Sequence, residues 1–163
     1  MSCHVRQVLV TKSNYTATQK TGEVKKCGRN CATCPYLIEG SVIQMEHGEV
    51  FHIQEKMTCL TENVIYIMIC RGCDATYIGE TGQQFCKRMN SHRSHINRAE
   101  YRKLQVSDHI HRCPGTQTLD VKFKTCPFFK MPLNCSRIER EAKEAFFQKK
   151  ILSISPSWTT DTW

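Results

Sequence analysis

The sequence predicts an α+β fold: a small domain with a three-stranded antiparallel sheet flanked by helices, and with zinc-binding elements attached. Three observations carry that prediction. Two short runs, Val64-Ile65-Tyr66-Ile67-Met68-Ile69 and Ala75-Thr76-Tyr77-Ile78-Gly79, are filled with β-branched and aromatic residues. The stretch Arg71-Gly72-Cys73-Asp74 between them supplies turn residues, so the pair reads as a hairpin. Helical apolar spacing follows directly, and the cysteines fall in tight groups rather than singly.

Taken in order, residues 1–26 are polar, rich in Thr and Lys, and weakly patterned. They read as a linker or partly ordered arm. Residues 27–60 form a cysteine-rich, zinc-binding segment. Cys27, Cys31 and Cys34 lie within eight positions, and thiolates this close can meet one tetrahedral ion if a fourth ligand returns. Cys59, just before the first long strand, is the natural candidate, with His47 and His52 as rivals. Residues 61–156 form the main domain. In it, Cys70 and Cys73 make a C-x2-C pair at the hairpin turn. His109 and Cys113, at i and i+4 on one helical turn, supply the other half of a second site. His111 is the weaker candidate.

After the hairpin, Thr81-Gly82-Gln83-Gln84 has the pattern of a capping box opening a helix. Phe85, Met89 and Ile96 make its apolar stripe, and Arg88, His92 and His95 line its edge. The segment 119–130 alternates at Val121 and Phe123 as a third strand, with Pro127 marking its end or a sheet edge. Ser136 and Glu139 form a second capping box, opening a last helix. Ile138, Ala142, Ala145 and Leu152 make one apolar face of that helix, and Phe147 and Ile151 a second. This pattern predicts a largely buried helix in which the carboxylate of Glu144 needs a partner or a cation. Residues 157–163 are a tail.

Composition narrows the function. The net charge of +8, with an isoelectric point near 9.0, favours a polyanionic partner, nucleic acid first. There are 11 cysteines, an odd number, and the first twenty residues hold no apolar signal core. Metal-bound thiolates in a reducing compartment, nuclear or cytoplasmic, fit better than a secreted disulfide scaffold. No run of the sequence reaches membrane-spanning length.

The ordered set Val64-Ile65-Tyr66, Tyr77-Ile78-Gly79, Arg88 and His92 resembles the GIY-YIG endonuclease family, with Val64 standing where the family has Gly. The cysteine groups, the His109/Cys113 pair and the Glu-bearing helix extend the resemblance to the endonuclease region of Penelope-like retroelements, over roughly residues 25–152. The main domain is then a GIY-YIG nuclease domain, a module detached from the reverse transcriptase that precedes it in those elements. The enzyme could meet that partner on another or a longer chain.

The resemblance implies a metal-dependent DNA endonuclease that nicks by phosphodiester hydrolysis. Tyr66 would accept a proton from water or orient it. Tyr77 would bond the phosphate or help deprotonate its partner. Arg88 would hold phosphate oxygens, and His92 would assist proton transfer or orient a tyrosine. Glu144 would ligate Mg²⁺ or Mn²⁺, with Glu141 as its rival. Gly79, Lys87 and Arg93 would lie against DNA. Two structural zinc ions are expected, one on Cys27, Cys31, Cys34 and Cys59, the other on Cys70, Cys73, His109 and Cys113. The family closes with a Pro followed by an Asn; Pro156 matches and no such Asn follows. The alternative reading is therefore a catalytically inactive, zinc-containing DNA-binding or regulatory module.

Overall fold

A computed structural model describes residues 22–44 and 50–154, with side chains described to residue 150. The long strand β3 (Val64–Cys70) is the centre of the fold and is buried along its whole length. Its neighbours are β4 (Thr76–Thr81) and β5 (Phe123–Lys130), both antiparallel, giving the order β4-β3-β5. A separate two-stranded sheet joins β1 (Val42–Gln44) to β2 (Val50–His52). Among the described residues three α-helices complete the fold: α1 (Phe85–Asn97), α2 (Gln105–Arg112) and α3 (Arg137–Ile154).

The β-rich composition of residues 64–70 explains why both faces of β3 are covered. Alternation puts Tyr66 and Met68 on one face and Ile65, Ile67 and Ile69 on the other. In the β3–β4 register Tyr66 lies opposite Gly79, and Met68 opposite Tyr77. Both tyrosines therefore share a face, and α1 packs on it through Phe85, Met89, His92 and Ile96, all buried. Asp74, at φ 60°, turns the hairpin in the left-handed region that Asp tolerates better than most side chains.

The first capping box does not form. Thr81 is still in β4, and its Oγ1 accepts the Gln83 N–H at 3.1 Å in a local turn. Instead the carbonyls of Thr61 and Cys59 accept the N–H groups of Phe85 and Cys86, at 2.9 and 2.7 Å. These two first-turn donors of α1 are thus satisfied by the chain just before β3. At its other end, Ser107 Oγ donates to His95 O at 3.1 Å and His111 Nε2 donates to Ile96 O at 2.8 Å, so α2 covers the last carbonyls of α1.

Pro127 sits inside β5 rather than at its end. It is tolerated because β5 is an edge strand and a bulge breaks the register there: Tyr66 faces Pro127, Ile65 faces Phe129, and Phe128 is the extra residue. The segment after Cys34 covers this edge at one point, where Ile38 N–H donates to Thr125 O at 2.8 Å. Residues 22–25 are also tied in. Gly22, Val24 and Lys25 donate to Ile53 O, Gly40 O and Met57 O, and Val24 is fully buried. Residues 22–26 are thus part of the folded domain; the rest of the expected arm, and the tail 157–163, lie outside the described residues.

The second capping box forms as expected: Glu139 N–H donates to Ser136 Oγ at 3.2 Å and Ser136 N–H to Glu139 Oε2 at 2.6 Å. The burial expected for α3 does not follow. Ile138 is 77 % exposed, and Ala142 and Ala145 are exposed too. Phe147 alone of the apolar residues described on α3 is buried, against Phe128, Phe129 and Phe51. The side chains of Ile151 and Leu152 lie outside the described residues.

Two glycines meet backbone to backbone where the hairpin turn touches the end of α2. A Cβ on Gly115 would lie 2.3 Å from Gly72 O, and one on Gly72 2.6 Å from the Gly115 carbonyl carbon. Neither neighbour can give way as a flexible side chain would. Gly115→Ala is expected to destabilise the domain by about 1–3 kcal/mol, the usual range for overpacking, as measured by denaturant unfolding.

Candidate active site

Four elements bring their side chains to one point. Tyr66 comes from β3, Tyr77 from β4, Arg88 and His92 from α1, and Glu144 from α3. The Tyr66 ring needs the space of a missing Cβ opposite it, since a Cβ on Gly79 would fall 2.4 Å from Tyr66 Oη. Gly79 is itself buried under that ring.

Tyr66 is 0 % exposed, so its hydroxyl must find partners inside the protein. Arg88 Nε donates to it at 3.1 Å, and its oxygen lies 2.8 Å from His92 Nε2. Burial makes the His92 ring neutral, pushing its pKa down to about 3 with the Arg88 charge contributing, and the ring's tautomer sets which of Tyr66 and His92 donates. Burial also pushes the Tyr66 pKa far up, with Tyr77 adding to the rise and Arg88 opposing it. At neutral pH this is a protonated phenol beside a neutral imidazole.

Tyr77 is only partly buried. Burial and then the Glu144 charge raise its pKa, while Arg88 and a hydrogen bond to Tyr66 oppose the rise. Burial alone would lower the Arg88 pKa, but the two tyrosines reverse that, and Arg88 stays charged. Glu144 is half-buried. Its pKa is raised to about 7, by burial first and then by the Glu80 carboxylate, with Arg88 opposing the rise. Its Oε1 accepts Gln148 Nε2 at 3.1 Å. Glu141 points away: it pairs with Arg137 at 2.6 Å on the exposed side of α3.

The residues proposed to face DNA are not alike. Lys87 is exposed. Arg93 is engaged with the cysteine-rich segment: Nη1 donates to Thr33 Oγ1 at 3.3 Å, and the guanidinium lies 4.9 Å from the Tyr36 ring centroid. His95 packs on Tyr101 and touches the cluster only through its charge, which helps lower the His92 pKa.

Two sets of four thiol and imidazole groups converge elsewhere. Cys27, Cys31, Cys34 and Cys59 form one, and Cys70, Cys73, His109 and Cys113 the other; within each set the donor atoms lie within 4.8 Å of one another. Sulfur–sulfur separations are 3.7 Å for Cys27–Cys34, 3.6 Å for Cys34–Cys59 and 3.8 Å for Cys70–Cys113. Cys73 Sγ is 3.4 Å from His109 Nε2. A tetrahedron with zinc–sulfur bonds of 2.3 Å has edges of about 3.8 Å, slightly shorter where a nitrogen replaces sulfur, so both sets fit zinc. His52 and His111 stand outside these sets, and His47 lies outside the described residues.

Sequence reasoning missed Glu80 and Arg140. Arg140 Nε donates to Glu80 Oε2 at 2.7 Å, with both side chains under 20 % exposed. No local pattern marks this pair, because the partners are sixty residues apart.

A family model described as the GIY-YIG catalytic domain matches residues 62–149, more than half of the chain. No curated protein and no solved structure matches it.

Two outcomes follow from this geometry. Elemental analysis should find about two zinc ions per chain, and a strong chelator should abolish cooperative unfolding, since structural zinc contributes directly to folding. The second concerns acid. The folded His92 titrates near 3 against 6.5 when unfolded, so stability present above pH 6.5 is lost as pH falls through that window. Between pH 6.5 and 4.5 the wild type should lose about 2–3 kcal/mol more than His92→Gln, measured by urea unfolding.

Proposed function

Since the chain belongs to the GIY-YIG catalytic-domain family, a family of metal-dependent nucleases, we propose that it nicks DNA by hydrolysing a phosphodiester with this cluster. The observation that carries the reading is the hydrogen-bonded chain from Arg88 through Tyr66 to His92, with Glu144 beside it.

Arg88 bonds Tyr66 through Nε and also hydrogen-bonds Tyr77, so its charged guanidinium is held where its planar fork suits phosphate oxygens. Tyr66 holds that guanidinium in place, and in its resting state it is an orienter. For Tyr66 to take a proton from water, it has to pass its own to His92 Nε2 at 2.8 Å. Tyr77, partly open to solvent, bonds the phosphate from the same face. Glu144 offers an oxygen donor suited to Mg²⁺ or Mn²⁺, and its raised pKa reflects burial first and then the neighbouring Glu80 carboxylate, both of which a cation would offset. The cation, when bound, supplies charge that stabilises the transferring phosphate. Lys87 and the +8 net charge favour the polyanion.

The wider reading is a module of retroelement origin, akin to the endonuclease of Penelope-like elements, working with a reverse transcriptase in the reducing nucleus or cytoplasm. The two thiol-rich sets support it. Among the described residues no helix is long and apolar enough to cross a membrane.

The test is nicking of supercoiled plasmid with and without Mg²⁺. Arg88→Ala and Glu144→Gln should each lower nicking about 10²–10³-fold, the usual worth of an electrostatic group in such a site. DNA binding should survive Glu144→Gln, and Glu141→Gln should nick like the wild type. Loss of nicking in Glu141→Gln but not in Glu144→Gln would move the cation's ligand to Glu141. A wild type that binds DNA, never nicks it and retains zinc would establish the inactive module instead.

A further inference from the structure

Residues Arg140, Glu144 and Gln148 recur every four positions, so they form one row along α3. This row, and not the apolar set at Ile138, Ala142 and Ala145, faces the sheet. Gln148 Nε2 donates at once to Glu144 Oε1, at 3.1 Å, and to Ile78 O on β4, at 3.3 Å. One turn before Glu144, Arg140 reaches Glu80 on β4 at 2.7 Å, Asn63 Oδ1 at 3.3 Å and Cys135 O at 3.2 Å.

We propose that Gln148 is a positioning residue that orients the Glu144 carboxylate toward the cation, and that the Arg140–Glu80 pair sets the register of the turn carrying both. This rests on the reading of Glu144 as the cation's ligand. An amide that bonds both a carboxylate and a strand carbonyl removes one rotation of the carboxylate and ties it to the strand bearing Tyr77. Pairing Glu80 with Arg140 has a second effect: it partly neutralises a carboxylate that repels Glu144 and keeps it turned toward the helix. Groups that hydrogen-bond a metal-ligating side chain typically change metal affinity about 10–100-fold when removed.

The experiment titrates Mn²⁺ into the full chain bound to an uncleavable duplex and follows water-proton relaxation; nicking is measured in parallel across a range of Mn²⁺. Gln148→Met, which keeps the length of the side chain, should weaken Mn²⁺ binding about 10–100-fold with two zinc ions and DNA affinity unchanged. High Mn²⁺ should restore most of its nicking, a recovery that a merely structural defect would not show. Arg140→Gln should weaken Mn²⁺ as well, and should raise hydrogen exchange through residues 140–148. Arg140→Lys, which keeps the charge, is the substitute if Arg140→Gln does not fold. Gln148→Met and the Arg140 variant binding Mn²⁺ like the wild type, while Glu144→Gln does not bind it, would overturn the positioning role alone. Unchanged Mn²⁺ binding in Glu144→Gln would overturn both this role and the assignment of the ligand.

Discussion

The hydroxyl of Tyr66 is the group on which the rest of the site depends. It lies on the central strand, with no exposure, where an unpartnered phenol would be destabilising by a few kcal/mol. Two of its partners, Arg88 and His92, come from one helix at i and i+4. That helix can lie so close only because Gly79 leaves the ring its place in the sheet. A core requirement, the satisfaction of one buried oxygen, thus fixes a charged guanidinium beside a neutral imidazole. The cluster is rigid for the reason a core is rigid, and it needs no substrate to assemble.

The helix that supplies those partners is short and held at both ends by the cysteine-bearing segments. Cys59, in the first thiol set, gives its carbonyl to the start of α1. The second set anchors α2, whose Ser107 and His111 cover the end of α1. Ions at these two places would do for a small domain what a larger core does elsewhere, by fixing both termini of α1 against the sheet. The main-chain contact of Gly72 with Gly115 belongs to the same device, since it lets the hairpin turn reach the second set.

What could be read from the sequence was whatever a local pattern dictates. The strand pair, the stripe Phe85-Met89-Ile96, the capping box at Ser136 and both cysteine sets all depend on spacing, and spacing is local. The capping box at Thr81 failed because β4 kept that residue and carbonyls from an earlier segment took the helix donors. Pro127 was tolerated inside a strand because the edge and a bulge released it from the ladder, a tertiary circumstance. The burial of α3 went wrong for a third reason. Ala142 and Ala145 have little area to bury, Ile138 lies outward, and the opposite row found specific polar partners on β4. Of the candidate site, the sequence named Tyr66, Tyr77, Arg88, His92 and Glu144, which the fold brings together. Partners sixty or more residues away, such as Glu80 for Arg140, were not legible in it.

The polar docking of α3 bears on why Glu144 carries a raised pKa at all. An apolar seam would bury the carboxylate with no compensation, and the protein would hold it protonated or turn it out to solvent. Here Arg140 neutralises Glu80, Arg88 opposes the rise from the other side, and Gln148 stabilises one oxygen. The balance leaves Glu144 titrating near neutrality. A group so poised gains more from a divalent cation than an exposed carboxylate would, because the ion also relieves the burial and the repulsion by Glu80.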